Sequence, residues 1–312
     1  VKIITLVPVK NEAWILPHSL KNYSTFSDHI IVADQSSTDG TQDICKQFEK
    51  VTLIQNPFTG HTNQIRWLLL DEARKLPGNN LIIYLDADEL LSPACIQEMQ
   101  EKVREEGTGI KAEWVQLFPT YSSYRIDGVW EHNYKEFAFL DDRILDYDRT
   151  TITNDHSNRI PTLDKVISVG TPILHLQYLA KSRCEVKQVF YMCTDFMKGK
   201  SARRVNHYYS VAKFGDTTKT AHTPNEWLLD IKLPSLEIFN ETDTIKIAAV
   251  YDLFKEKGVL FFEGLDIWHV KEFYDFFKKE TGRNPQVKKY PDAIIFLNTI
   301  KNRLKNAILA SS

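Results

Sequence analysis

The stretch Leu81-Ile82-Ile83-Tyr84-Leu85 is apolar at every position and runs straight into Asp86, Asp88 and Glu89. A strand that is apolar on both faces must be covered on both faces, as a central strand is in a parallel sheet flanked by helices. The residues ahead of it fit that arrangement. KIITLVPV and HIIVAD read as strands, each followed by a helical stretch, NEAWILPHSLKNYST after the first and residues 41–49 after the second. VTLIQN reads as a third strand and NQIRWLLLDEARKL as an amphipathic helix. Alternating strands and helices predict an α/β fold with a mostly parallel central sheet and helices on both faces.

The middle of the chain, from about Gly109 to Leu179, is rich in aromatic and charged residues and reads as further strands joined by long loops. From Ala180 the apolar residues recur at helical spacing: Val186, Val189, Phe190, Cys193 and Phe196, then Phe254, Phe273, Phe276 and Phe277. The expected division is a catalytic domain over residues 1–214 and a helical unit over residues 215–312.

Charge narrows the function classes. With 39 Lys plus Arg against 41 Asp plus Glu, no global field draws the chain to nucleic acid, so any nucleotide ligand is expected to be small. Cys45, Cys95, Cys184 and Cys193 form no C-x-x-C pair, and they read as reduced thiols. There is no apolar run of membrane-spanning length and no leader-like segment, so the expected location is the cytoplasm, or the inner face of a membrane in peripheral contact.

Asp86 and Asp88 stand at the carboxyl end of the apolar strand, where alternation with a period of two would point both side chains one way. Paired carboxylates at such a place suit a hard cation, Mg²⁺ or Mn²⁺, whose shell is completed by substrate phosphates. A second D-x-D, Asp146 and Asp148, follows no buried strand and reads as a solvated loop. The first strand ends in VPVKNEA instead of a G-x-G-x-x-G turn, which argues against a dinucleotide fold. Asp34 ends the second strand, where an acid accepts hydrogen bonds from a ribose hydroxyl or a base N–H, or else forms an Asx turn; Asp39 reads as a turn or cap residue.

VPVKNEA, ADQSSTDGT, TGHTNQIRW and LDADE, in that order, resemble the motifs of the family 2 glycosyltransferases over roughly the first 90 residues. The resemblance implies a GT-A fold and transfer of a sugar from a nucleotide-diphosphate sugar, with Mn²⁺ or Mg²⁺ as cofactor and a saccharide, lipid-linked or protein acceptor. It places Pro8, Asn11 and Glu12 at the nucleotide-sugar site, Asp34 at the base, Arg66 at the base or diphosphate, Asp86 on the ribose and metal side and Asp88 on the metal. Gln35 stands where the second motif usually has another acid, and TGHTNQIR lacks the lysine usual before the arginine. GTPILHLQYLAKSRCEVKQVFYM resembles the end of the catalytic domain in a bacterial branch of the family, which makes His175 a third metal-site residue.

An inverting transfer needs a carboxylate to take the acceptor's proton. Asp155 is the first choice, just before a strand and His175, and Glu131 the second; Asp142 is a further acid in the same region. Trp114, Tyr121, Tyr124, Trp130 and Tyr134 offer flat faces for a sugar ring, a role that core packing would explain equally for some. Two other readings compete. A phosphotransferase of the aspartyl-nucleophile kind wants a hydroxyl residue where this chain has Leu90. An inactive family member acting as a sugar- or nucleotide-binding scaffold would keep the fold and lose turnover. At the C-terminus, Ile294, Leu297, Ile300, Leu304 and Ile308 form one stripe beside Lys301, Arg303 and Lys305, which suits either an anionic membrane surface or packing within the unit or a homo-oligomer.

Overall fold

A computed structural model of the chain describes residues 1–60, 62–153, 158–210 and 218–289. Packing divides it into two units, residues 1–180 with 218–239, and residues 181–217 with 240–312. This partition differs from a single break at 214/215, because residues 181–210 pack with the second unit and residues 218–239 return to the first.

The first unit opens with β1 (Ile3–Val9), α1 (Leu16–Ser24), β2 (His29–Asp34), α2 (Thr41–Cys45), β3 (Val51–Gln55), α3 (Gln64–Ala73) and β4 (Leu81–Tyr84). Strand β1 lies parallel between β2 and β4, and β3 lies parallel beyond β2. Alternation along β1 serves two layers. Ile3, Val7 and Val9 join Leu16, Leu20 and Tyr23 on one face, while Ile4 and Leu6 join Leu69 and Leu70 of α3 on the other. All four residues of β4 are buried, as an apolar central strand requires.

The sheet continues through strands of mixed direction: β5 (Glu89–Leu90), then, beyond α4 (Pro93–Lys102), β6 (Thr108–Gln116), β8 (Tyr134–Leu140), β9 (Lys165–Ser168) and β10 (Ile173–His175). The order is β3-β2-β1-β4-β8-β6-β10-β5, with β9 alongside β6. Strand β8 runs antiparallel to both β4 and β6, and β10 runs parallel to β6 and antiparallel to β5. A separate ribbon pairs β7 (Ser123–Arg125) with β11 (Thr220–His222), ahead of the short α7 (Asn225–Leu228).

Two local expectations are corrected. The first helix starts at Leu16, not near Asn11, because Asn11 takes a left-handed φ of 56° and Pro17 sits in the first helical turn, the place in a helix where its missing N–H costs nothing. The acidic strand ends at Tyr84, so Asp86 and Asp88 lie on the turn between β4 and β5 and the period-two argument does not govern them.

The second unit is helical, as the apolar spacing predicts: α5 (Lys181–Met197), α6 (Ala202–Tyr209), α8 (Thr244–Lys257) and α9 (Lys271–Thr281) surround a core that includes Phe254, Phe262, Trp268, Phe273 and Phe277. The four cysteines are buried and free. Among the described residues no helix is long and apolar enough to cross a membrane. The C-terminal stripe from Ile294 to Ile308 lies outside the described residues.

Candidate active site

The turn at residues 86–91 is gripped by buried polar side chains of α1. Tyr23 donates its hydroxyl to the carbonyls of Asp86 and Glu89, both at 2.7 Å. Ser19 donates to the Ala87 carbonyl, and Asn22 exchanges two hydrogen bonds with the backbone of Leu91. Burial first, then the nearby acids Glu89, Asp88 and Asp86, push the Tyr23 phenol well above its ordinary range, so it stays a donor. A turn carrying three acids thus has its backbone fixed from behind.

Asp86 and Asp88 diverge from this turn. The Asp86 side chain keeps 38% of its exposure and meets Arg159 Nη2 at 2.9 Å and Arg66 Nη2 at 3.6 Å. Burial alone would raise its carboxyl; Arg159 and then Arg66 outweigh that and hold it below the usual aspartate range. Asp88 is buried, with Oδ2 3.2 Å from His175 Nε2. The structure therefore brings Asp88 and His175 together across 87 residues of sequence (175 − 88).

Glu89 is fully buried and saturated. It accepts two bonds from Arg159, at 2.7 and 2.8 Å, one from Trp114 Nε1 at 2.6 Å and one from the Asp86 amide at 2.9 Å. Register explains the cluster: His175 of β10 stands opposite Gln116 of β6 on one side and Glu89 of β5 on the other. Directly opposed residues share a face, and Trp114, two residues before Gln116, shares it too. The Trp114 ring stacks on His175 at 4.5 Å, and the Lys135 ammonium lies 4.8 Å from the Trp114 centroid. Burial, then Arg159, lower the Lys135 pKa.

On the nucleotide side, Pro8 pairs with Ala33 in the β1–β2 ladder. Asn11 and Glu12 tie the first loop to the second: the Asn11 amide donates to Ser37 Oγ, Asn11 Oδ1 accepts from the Thr38 amide, and the Glu12 amide donates to Thr41 Oγ1. Asp39 takes the turn role expected of it, accepting from the Thr41 amide, and also reaches across to the Ala13 amide. Glu12 itself accepts from Trp14 Nε1. Gln35, in place of the second acid, donates to the carbonyls of Phe58 and Gly60 and so holds the loop after β3.

Asp34 and Arg66 are different. Asp34 Oδ2 accepts from the Ser37 amide and from Gln42 Nε2, which is the Asx-type turn, but Oδ1 is buried with no hydrogen-bond partner. Arg66, its guanidinium 5.4 Å from the Tyr84 centroid, has Nη1 in the same condition. An unmatched buried polar atom costs about 1–3 kcal/mol, more when charged, so each position carries an unmet hydrogen-bonding demand.

Residues matching the glycosyl transferase family 2 model extend from 5 to 155 and include all of these nucleotide-side positions. Over these residues, just under half of its length, the chain is similar to glycosyl transferase family 2. The α/β unit that carries the matched region has the helix-covered mixed sheet expected of a GT-A fold, with its parallel half formed by β3, β2, β1 and β4. An uncharacterized glycosyltransferase of Rickettsia prowazekii is 29% identical over 102 residues, 33% of this chain, and the match spans only 32% of that relative's length. One from Rickettsia felis is 30% identical over 102 residues, again 33% of this chain and 32% of the relative. Among solved structures, S. aureus TarS aligns over 75% of this chain and 46% of its own at 12% identity and a TM-score of 0.40. Glucosyl-3-phosphoglycerate synthase from Mycobacterium tuberculosis, solved with Mn²⁺, uridine diphosphate and phosphoglyceric acid, aligns over 38% of this chain and 44% of its own at 16% identity and a TM-score of 0.30.

The remaining expectations divide. Asp155 lies outside the described residues. Glu131 is exposed and follows the short turn Gly128–Trp130, whose Trp130 packs against Trp114. Asp142 accepts from the amides of Ile144 and Leu145 and closes a loop. Asp146 and Asp148 are exposed, and Asp146 pairs with Arg149. Tyr121 and Tyr124 pack on Phe239 and Trp227, and Tyr134 is exposed. Sequence reasoning missed Glu89, Arg159, Gln116 and the polar side of α1. One signal was available: three carboxylates within four residues, 86–89, cannot be packed together without cations from elsewhere.

Proposed function

We propose that this chain is a metal-dependent, inverting glycosyltransferase that takes a sugar from a nucleoside-diphosphate sugar, a uridine-linked one by preference, and passes it to a hydroxyl of a saccharide, lipid-linked or protein acceptor in polysaccharide or glycoconjugate synthesis. The observation that carries the reading is the pair of buried, unpartnered atoms, Asp34 Oδ1 and Arg66 Nη1. One is a pure acceptor suited to a base N–H, the other a charged donor suited to phosphate oxygen. Both belong to residues that the family resemblance assigns to the nucleotide.

The residues also fit a divalent ion. Asp88 and His175 supply one carboxylate oxygen and one imidazole nitrogen 3.2 Å apart, and among the described residues no third His, Cys, Asp or Glu closes the group into a complete cage. That open donor set matches Mn²⁺ or Mg²⁺ sharing its shell with a diphosphate. Bound there, the ion would neutralise charge that builds on the departing diphosphate.

Around it the chain's own residues divide the work. Asp34 and Arg66 hold base and diphosphate, and Asp86 accepts from the ribose. Glu89 and Arg159 keep Asp86 in place. As the acceptor oxygen forms its bond to the anomeric carbon, the bond from that carbon to the diphosphate oxygen breaks with its electron pair, and the hydroxyl proton passes to a carboxylate. Asp155 is assigned that proton, with Glu131 as the alternative. Asp155→Asn should spare donor binding and collapse transfer; the same outcome from Glu131→Gln, with Asp155→Asn active, reverses the assignment. A panel of nucleoside-diphosphate sugars with Mn²⁺, read as release of free nucleoside diphosphate, tests the function. Release from at least one donor, weakened about 10- to 100-fold in metal response by His175→Ala, is expected. Intact nucleotide binding with no turnover of any donor and acceptor would favour the scaffold instead.

A further inference from the structure

Gln116 belongs to no motif, yet it is completely buried against the imidazole of His175, with Oε1 2.5 Å from Nδ1. Its orientation is fixed by its other end, because Nε2 faces the Trp114 carbonyl at 3.4 Å, an atom that only accepts. The atom presented to His175 is therefore the carbonyl oxygen. An oxygen at that distance requires a proton on Nδ1, which in the neutral ring leaves Nε2 as a bare lone pair. That lone pair faces Asp88 Oδ2 at 3.2 Å, so two acceptors look at one another. Turned the other way, with the proton on Nε2, the histidine would donate to Asp88 and the two would satisfy each other.

We propose that Gln116 is a positioning residue which holds His175 in the Nδ1–H tautomer and so turns Asp88 and His175 into a pair that binds a divalent cation between their facing atoms. This rests on the metal-supported reading of the site and adds the residue that makes it work. Three features keep the imidazole from escaping the constraint. The Trp114 ring is stacked on it at 4.5 Å, Trp114 is itself held by Glu89 through Nε1 at 2.6 Å, and the Leu176 amide donates to the Asp88 carbonyl at 2.8 Å, fixing strand against turn. Rotation of the ring would require moving the row formed by Gln116, His175 and Glu89 across three strands. The role needs an acceptor at position 116 and no particular charge, and that gives it a distinctive signature.

The test uses the full chain, its Gln116→Met variant, which keeps the shape and removes the acceptor, and its Gln116→Glu variant, which keeps the acceptor. Nitrogen-15 NMR of the metal-free proteins, above the pH range in which imidazole protonates, reads the tautomer of His175. Titration with Mn²⁺ in the presence of UDP, followed by electron paramagnetic resonance, reads affinity without any turnover. The parent and Gln116→Glu should carry the proton on Nδ1 and bind Mn²⁺ comparably. Gln116→Met, with an unchanged circular-dichroism spectrum, should carry it on Nε2 and bind about 10- to 100-fold more weakly. A parent protein with its proton on Nε2 overturns the proposal, as does a Gln116→Met variant that binds Mn²⁺ like the parent. Failure of the parent itself to bind Mn²⁺ with UDP would overturn the metal-supported reading along with it, whereas equal binding by parent and variant removes only the part assigned to Gln116.

Discussion

The two halves of the sheet treat polar side chains in opposite ways. In the parallel half, β3-β2-β1-β4, buried charged groups are left incomplete: Asp34 Oδ1 and Arg66 Nη1 have no partner. In the mixed half, β8-β6-β10-β5, Glu89 is satisfied by four bonds and His175 is held at Nδ1 by Gln116. A saturated buried network is rigid and costly to disturb, and an unsaturated one waits for a ligand. On the proposed reading, the mixed half braces the site and the parallel half holds the nucleotide. Substitutions should then separate cleanly into those that cost stability and those that cost binding.

The largest effect is expected from Glu89→Gln. It removes one of the two carboxylates that pair with Arg159, which is only 10% exposed, and disrupting a buried pair of this kind costs up to about 3–5 kcal/mol. Urea denaturation measures it, and a loss under about 1 kcal/mol would mean the network is not the brace described. Asp88→Asn stands at the junction of the halves. It should leave the fold unchanged and lower metal-supported turnover by a factor on the order of 10² to 10³, as removal of one preorganised electrostatic group does elsewhere. Near-normal turnover in that variant would break the metal assignment.

Asp34→Asn sharpens the comparison from the other side. Nucleoside-diphosphate affinity should fall about 10- to 100-fold, the worth of one charged hydrogen bond, while the melting temperature of the ligand-free protein holds or rises. A drop in both would show that Asp34 is structural. The smallest effect belongs to Glu98, which accepts from the Gly170 and Thr171 amides ahead of β10. Burial would raise its carboxyl, but Lys102 and those amides lower it from 4.5 to about 2. A depressed carboxylate stabilises the fold above its unfolded value and loses that contribution as pH falls from 4.5 towards about 2. Glu98→Gln should cost about 1–2 kcal/mol at neutral pH, with the difference from the parent shrinking in acid over that window.

The parallel half was legible in the sequence because each of its signals is local. A strand apolar at every position announces its own burial, and Asp34, Arg66 and Asp86 sit in short motifs at strand and helix ends. The mixed half was not, because its signals are distributed: Gln116 meets His175 across 59 residues and Arg159 meets Glu89 across 70. Nothing near Gln116 marks it as a partner of an imidazole, and β10 is only three residues long, too short to show a period. The buried polar face of α1 was hidden for a related reason. Ser19, Asn22 and Tyr23 look like an ordinary helix surface until the turn they hold is in place. His175 was found only because an apolar run delivers it and the family resemblance marks that run.

The central claim is that a nucleoside diphosphate and a divalent ion complete the open atoms of the parallel half together with Asp88 and His175. Thermal denaturation of the parent and of Asp34→Asn, with UDP and Mn²⁺ separately and in combination, tests it most directly. The account predicts a stabilisation of the parent that requires both ligands for its full size, about 2.7 kcal/mol when the nucleotide is present at a hundredfold excess over its dissociation constant, and a much smaller one in Asp34→Asn. No stabilisation of the parent by any nucleoside diphosphate with Mn²⁺, or an equal stabilisation of Asp34→Asn, would contradict it.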